Sequence, residues 1–273
     1  MKLKKLAARL GALGLLAVAA PSFAIPTLTI VDGLNSYVVD PFGGMDWQSN
    51  ATAVSTAPVF DGVTQSTTTY LASATEIKLA GGANSFVSGL GSGYEFTIKA
   101  TINETQTCLL WSGLPFASTC VVANFTAVGG TFDIYYDSVV DSNIVTGTGF
   151  VDGTKVISGS ILPGPAGIFS LITSSGVFDF DALVTFTNLD STKDAYFNPA
   201  LTSSNAIATL QIGGTTTDWT PPTSWVDGGG IPTGAIVFQA DGNQTFNVPE
   251  PTTLALLGLG LVGFGAARRR RPA

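Results

Sequence analysis

Short runs of Thr, Val, Ile, Phe and Tyr, separated by glycine, recur along the chain, and few stretches show helical periodicity. Apolar and polar positions that alternate over such runs predict half-buried β-strands. We expect ten strands, at 27–31, 67–71, 94–102, 121–128, 131–136, 154–160, 167–173, 176–188, 206–212 and 235–240. This number of strands in one segment predicts an all-β fold, specifically a β-sandwich that is jelly-roll-like.

Glycine and proline mark the predicted breaks between these strands. Residues 128–131, Val-Gly-Gly-Thr, predict a tight hairpin, and residues 162–165, Leu-Pro-Gly-Pro, predict a sharp break in the chain. Residues 215–233 contain Pro221, Pro222 and three consecutive glycines. We therefore expect a loop there, over one end of the sandwich.

The first 24 residues have the pattern of a secretory signal peptide. Three lysines and an arginine precede the apolar stretch Leu10–Ala20, and Ser22-Phe23-Ala24 follows as a small-x-small cleavage site. The apolar stretch is shorter than the about 17–25 residues of a spanning helix. We expect export by the general secretion machinery and cleavage by signal peptidase after Ala24, with Ala20 as the alternative.

A second apolar run lies near the other end of the sequence, between a proline motif and a basic cluster. The run Leu254–Ala267 includes four glycines, which weaken a helix, and as a helix Thr252–Ala267 spans about 24 Å, short of the ~30 Å hydrocarbon core. A removable sorting signal fits this run, and a simple tail anchor is the alternative. The motif consists of Pro249, Glu250 and Pro251, and the cluster, which fixes the orientation in the membrane, of Arg268, Arg269, Arg270 and Arg271.

These three parts, in this order, resemble the PEP-CTERM sorting domain of bacterial exported proteins. The resemblance implies recognition by an exosortase, a membrane protease that cleaves near the motif and releases or transfers its substrate. It also implies export across the inner membrane of a Gram-negative bacterium and transient anchoring by the C-terminal hydrophobic helix. The cell surface or the extracellular matrix is the expected destination. The sorting signal covers only 248–273, which leaves 25–247 as the expected secreted domain.

Charge separates this expected domain from the two signals. Of the 12 basic residues only four, all lysines, lie outside the signals, whereas all 19 acidic residues lie between Asp32 and Glu250, for a net charge of −15 in that segment. Such a surface repels nucleic acid and anionic lipid, so neither is an expected partner. It attracts divalent cations, although a solvated acidic surface that maintains solubility is the more frequent explanation.

The sequence contains no histidine, which removes most hydrolase designs and the usual histidine-ligated metal sites. Paired carboxylates remain as candidate catalytic groups. Asp179 and Asp181 alternate with Phe178 and Phe180, so a strand would place the two carboxylates on one face, about 6–7 Å apart. An amphipathic strand with a wet acidic face explains the same pattern, and we favour it over catalysis.

The two cysteines of the chain, Cys108 and Cys120, are separated by turn-forming residues. In an exported protein this pattern predicts a structural disulfide that closes a loop. No CxxC spacing or further ligand supports a redox or metal pair.

Two patches are candidate binding sites. Oxygen ligands for calcium would come from Asp137, Asp141, Asn143 and Asp152, although their spacing matches no known calcium loop and a polar surface loop is the commoner explanation. Stacking faces for sugar rings would come from Trp219 and Trp225, which flank a proline-containing segment; both indoles could instead plug the end of the sandwich.

Segments 130–138, 146–154 and 195–199 resemble a subgroup of PEP-CTERM proteins linked to floc formation, which implies a matrix or surface role within extracellular polysaccharide. We therefore expect a non-enzymatic protein that aids aggregation and has no resident cofactor, with calcium as the alternative left open. The alternatives are a carbohydrate-active enzyme that uses paired carboxylates and a calcium-dependent carbohydrate-binding module.

Overall fold

The regular structure of the described part of the chain consists entirely of β-strands, which confirms the all-β prediction. The computed structural model describes residues 27–32, 35–56, 63–112, 119–170, 172–187, 195–198, 207–215 and 221–247, all within the unit Ile25–Val248. The first seven strands are β1 (Thr27–Asp32), β2 (Asn35–Val39), β3 (Phe42–Trp47), β4 (Ala51–Ser55), β5 (Val63–Leu79), β6 (Asn84–Ser85) and β7 (Glu95–Ser112). The others are β8 (Thr119–Asp137), β9 (Thr154–Ile161), β10 (Gly164–Ser170), β11 (Ser175–Thr187), β12 (Ala195–Asn198), β13 (Ile207–Thr215) and β14 (Ile236–Asn247).

Eleven of these strands form one antiparallel sheet with the order β10-β11-β13-β14-β3-β5-β7-β8-β9, to which β4 and β6 add further pairings. Because β8 also pairs with β10, and β11 with β9, the hydrogen-bonded path returns to its starting strand. The inner side chains therefore face one another across a shared interior. The remaining strands form a separate three-stranded sheet, β12-β1-β2.

Two strand positions in the large sheet are each filled by two short strands in succession. β9 pairs with residues 130–136 of β8 and β10 with residues 122–127 of the same strand, so the chain runs on in one direction through Leu162 and Pro163. Proline cannot donate the ladder hydrogen bond, which explains the interruption. β3 and β4 share the position between β14 and β5 in the same way.

The predicted hairpin at residues 128–131 is wrong, because β8 runs straight through it. Both halves of β8 pair with β7, and the register moves from Asn103 opposite Gly129 to Glu104 opposite Ala127, which leaves Val128 as the extra residue of a β-bulge. The bulge exchanges the buried face: Phe125 and Ala127 point inward before it, and Phe132, Ile134 and Tyr136 after it. An alternation that changes phase at two glycines looks like two strands in the sequence.

A second apolar cluster lies outside the large sheet, where two loops cover the outer faces of β4 and β5. Val54 and Leu71 pack there against Phe150 from residues 138–153 and against Trp225 from residues 221–235. The described part of the predicted loop 215–233 contains no strand beyond the end of β13, as expected. The interior of the large sheet lies against one face of β4 and the two loops cover the other, which explains why every residue of β4 is buried.

Cys108 of β7 and Cys120 of β8 form a disulfide, as predicted. The expected signal-peptide helix and the expected C-terminal helix lie outside the described residues. Within those residues, no helix is long and apolar enough to cross a membrane.

Candidate functional site

An acidic cluster forms where β8 ends and β9 begins. Carboxylate oxygens of Asp137, Asp141 and Asp152 all lie within 4.8 Å of one another. Asp137 is the last residue of β8, and Asp152 lies just before β9. Because β8 and β9 are neighbouring antiparallel strands, the end of β8 and the start of β9 lie side by side, and the loop between them completes the cluster.

Glu95, the first residue of β7, holds the loop in place at Asp141 and Ser142. Its side chain is 2 % exposed. Its Oε1 accepts hydrogen bonds from the backbone N–H groups of Asp141 (3.0 Å) and Ser142 (2.9 Å), and its Oε2 accepts one from the Ser142 hydroxyl. A buried carboxylate that accepts three hydrogen bonds fixes this part of the loop firmly against the sheet.

Gly149 allows the loop to fold back closely over Asp141. Its φ is +76°, in the region that favours glycine, and an added Cβ would lie 2.6 Å from the carbonyl oxygen of Asp141. Loss of hydration, followed by repulsion from Asp152 and Asp137, raises the pKa of Asp141. Three carboxylates held this close are oxygen ligands of the kind that calcium prefers, because a divalent cation removes their mutual repulsion.

Asn143, the fourth predicted calcium ligand, is used differently. Its Oδ1 accepts hydrogen bonds from the backbone N–H groups of Val145 (2.9 Å) and Thr146 (3.2 Å), so the amide oxygen stabilises its own turn. The three aspartates of the predicted calcium set therefore lie together, whereas the amide oxygen of Asn143 is hydrogen-bonded to the backbone of its own loop.

Trp225 does not offer an exposed face for a sugar ring. Its side chain is 6 % exposed and packs with Val54, Leu71 and Phe150 in the outer apolar cluster. Its neighbours tie the loop down, since Thr223 N–H donates to the Val145 carbonyl (2.8 Å) and Ser224 Oγ to the Thr146 carbonyl (2.9 Å). The glycan-stacking hypothesis is thus corrected for Trp225, which fills the core role; Trp219 lies outside the described residues.

Asp179 and Asp181 lie on the exposed face of β11, as the amphipathic-strand interpretation predicts. Each carboxylate accepts a hydrogen bond from the strand beside it: Asp179 from Gln211 Nε2 at 2.7 Å, and Asp181 from Thr209 Oγ1 at 3.0 Å. Phe178, which precedes Asp179 in β11, is buried. These contacts explain both carboxylates as part of a polar sheet surface.

Buried polar side chains on β4, β5 and β7 form a row that the apolar pattern of the sequence did not predict. We call it the polar row; it consists of Ser55, Ser66, Thr68, Glu104 and Gln106. The predicted strand 94–102 ended where its inward positions stopped being apolar, yet β7 continues to Ser112. Extending the alternation from Ile98 and Ile102 would have placed Glu104 and Gln106 inside, and that was the available signal.

The predicted sorting residues, Pro249 to Pro251 and Arg268 to Arg271, lie outside the described residues. They are tested by comparison with known protein families. No curated protein and no solved structure matches the chain. Residues 247–271 match the family model of the PEP-CTERM protein-sorting motif. This motif implies export, a membrane-anchored C-terminus before cleavage, and processing by an exosortase, which is a membrane protease. The chain therefore carries a PEP-CTERM sorting motif and is an exported protein sorted by an exosortase.

Proposed function

We propose that this exported protein is a non-enzymatic component of the cell surface or extracellular matrix of a Gram-negative bacterium, where it promotes aggregation in extracellular polysaccharide, as in flocs or biofilms. The sorting motif at residues 247–271 carries the proposal, because it implies delivery out of the cell. The resemblance of residues 130–138, 146–154 and 195–199 to floc-associated PEP-CTERM proteins supports the aggregation role.

The contacts of the charged groups also favour a non-enzymatic surface protein over a hydrolase. The exposed carboxylates of Asp179 and Asp181 are hydrogen-bonded to residues of the neighbouring strand. Lys78 and Lys155 form ion pairs with Asp46 and Asp133, both at 3.0 Å. A paired, largely acidic surface suits a protein that remains soluble among polymers.

Deletion of the gene, followed by complementation, tests the aggregation role. We expect the wild-type gene to restore settling of cells, and a gene that lacks residues 248–273 to leave the cells dispersed although the domain is made. A Lys193→Ala version, changed outside the sorting motif, is the matched control and should restore settling. Full settling of the deletion strain, or of the strain with the shortened protein, would contradict the proposal.

The acidic cluster favours a second candidate function, a calcium-dependent binding module. The observation that carries it is the convergence of Asp137, Asp141 and Asp152 within 4.8 Å. Calcium takes 6–8 oxygen ligands at about 2.3–2.6 Å, so water and backbone carbonyls would complete a site of three carboxylates.

Thermal unfolding with and without calcium tests this candidate. A cation that binds only the folded state stabilises it by about 2.7 kcal/mol at 100 times its Kd, so calcium should raise the Tm and EDTA should lower it. Asp141→Asn should abolish the response, whereas Asp179→Asn, which lies outside the cluster, should keep it. A melting curve that EDTA leaves unchanged would eliminate the candidate.

A further inference from the structure

One end of the large sheet presents large apolar side chains to solvent. We call this surface the apolar end; its residues, each at least 41 % exposed, are Leu109, Leu110, Trp111, Ile168, Ile172 and Val177. The first three lie where β7 ends, and the other three belong to the hairpin of β10 and β11. The pairing of the strands brings these two groups together.

Four neighbouring strands carry the apolar end. Leu110 of β7 lies opposite Val122 of β8, and Val122 lies opposite Ser170 of β10. Ile168, on the same face of β10 as Ser170, lies opposite Val177 of β11. Because residues paired across antiparallel strands share a face, Leu110, Ile168 and Val177 all lie on the outer face of the sheet. They span three strand spacings, about 14 Å.

The apolar end differs from the outer face around it. On β7 the outward positions before the apolar end are threonine and asparagine, and on β11 the outward positions after it are Asp179 and Asp181. A polar outer face is usual for an antiparallel sheet with one buried side. An exposed apolar patch with a polar rim is typical of a surface that binds another protein.

The apolar end is also uncharged within a strongly acidic domain. Residues 105–132 and 156–178, which contain it, include no Asp, Glu, Lys or Arg, whereas the segment from Asp32 to Glu250 has a net charge of −15. Two copies of such a domain repel each other over most of their surfaces, and least where both are uncharged. A second copy of this chain therefore suits the apolar end, because it offers the same uncharged, apolar surface.

The chain leaves the domain away from the apolar end. Val177 lies opposite Gly213 of β13, and Gly213 lies opposite Asp241 of β14. From Asp241, β14 continues to Asn247, about 20 Å along the strand, where the sorting motif begins. The segment that is anchored in the membrane before cleavage thus follows from the far end of β14, so a second copy suits the apolar end better than a lipid surface does.

We propose that the apolar end is a self-association surface, through which two copies of this protein bind each other face to face. A two-fold pair uses the same patch on both copies, and burial of apolar area drives the contact. Six side chains are fewer than the about 20–30 residues that each partner contributes to a standard interface, so the dimer is weak and reversible. This association is a property of the protein alone and does not depend on the proposed role in aggregation.

Sedimentation equilibrium of the purified exported protein over a range of concentrations tests the proposal. We expect a reversible dimer that salt strengthens, because salt screens the repulsion between the acidic surfaces. Val177→Asp and Ile172→Asp should each weaken dimerisation about tenfold or more, since each places like charges in the contact. Val38→Asp adds the same charge at an exposed valine of β2 and should leave dimerisation unchanged. Melting temperatures verify that all three variants are folded.

Tryptophan fluorescence locates the contact independently. Trp111 is 41 % exposed, whereas Trp47 and Trp225 are 1 % and 6 % exposed. Dimerisation should therefore shift the emission to shorter wavelength as Trp111 loses contact with water. Trp111→Phe should remove this shift.

A wild type that stays monomeric at every concentration would overturn the proposal, and binding of that monomer to phosphatidylcholine vesicles would assign the apolar end to lipid instead. A dimer that Val177→Asp and Ile172→Asp leave unchanged, or that Val38→Asp weakens equally, would place the contact on another surface and would also overturn it.

Discussion

At the scale of single residues, the buried carboxyl of Glu104 makes the stability of the protein depend on pH. Burial raises the pKa of Glu104 to about 7, and the hydrogen bond from Thr68 only partly offsets this. A pKa that is higher in the folded state than in the unfolded state gives stability that is complete at low pH and is lost as the pH rises through the folded value. We expect the free energy of unfolding to fall by about 3 kcal/mol between pH 4.5 and pH 7–8.

Glu104→Gln, which stays neutral at every pH, should remove this fall. Thr68→Val should enlarge it, because the hydrogen bond that favours the charged form is lost. Urea unfolding at a series of pH values measures both effects. Identical pH profiles for the wild type and Glu104→Gln would show that Glu104 does not titrate in this range.

At the scale of elements, the bulge in β8 depends on two glycines with different surroundings. Both have φ near +150°, but a Cβ on Gly130 would lie 2.2 Å from the Thr101 carbonyl oxygen, whereas a Cβ on Gly129 would meet nothing within 4 Å. Gly129→Ala should therefore cost only the backbone strain, about 1–3 kcal/mol. Gly130→Ala adds a steric clash with β7 and should cost about 2 kcal/mol more. Equal denaturation midpoints for the two variants would contradict this assignment.

A strand can be predicted from the sequence when its own pattern of apolar and polar residues reflects which of its faces is buried. The predicted bounds of β9 and β11 agree with the structure to within about two residues, and β11 alternates its exposed aspartates, Asp179 and Asp181, with apolar residues. β4 faces the interior on one side and is covered on the other by loops distant in sequence, so it has no alternation to detect. The alternation of β8 changes phase at its bulge, so the sequence predicted two strands there. β7 carries the inward-facing Glu104 and Gln106, so the predicted strand ended too early.

The candidate site, too, was predictable from the sequence only in part. The composition of residues 137–152 indicated oxygen ligands, and the structure brings three of the aspartates together. The role of Glu95 was not predictable, because Glu95 lies at the start of β7, more than 40 residues before the loop in sequence, and only the fold brings the two together. The two alternatives for Trp225, an exposed stacking face and a buried plug, could not be separated from the sequence, because its burial depends on the distant Val54 and Leu71.

At the scale of the whole molecule, the targeting segments and the folded domain have opposite chemistry. Eight of the 12 basic residues lie in residues 1–24 and 248–273, and the acidic residues lie between Asp32 and Glu250. Removal of both segments would leave an acidic product, whereas retention of the tail would keep a cluster of four arginines beside the membrane. Sorting thus determines both the location and the charge of the mature protein.

The PEP-CTERM motif at residues 247–271 implies processing by an exosortase. Comparison of the wild type with Pro249→Ala/Pro251→Ala, by intact mass and by fractionation of inner membrane, outer membrane and medium, tests this processing. We expect the wild type to lose the mass of the tail and leave the inner membrane, and the double variant to keep its tail and remain there. Equal masses and equal distributions of the two proteins would contradict sorting through this motif.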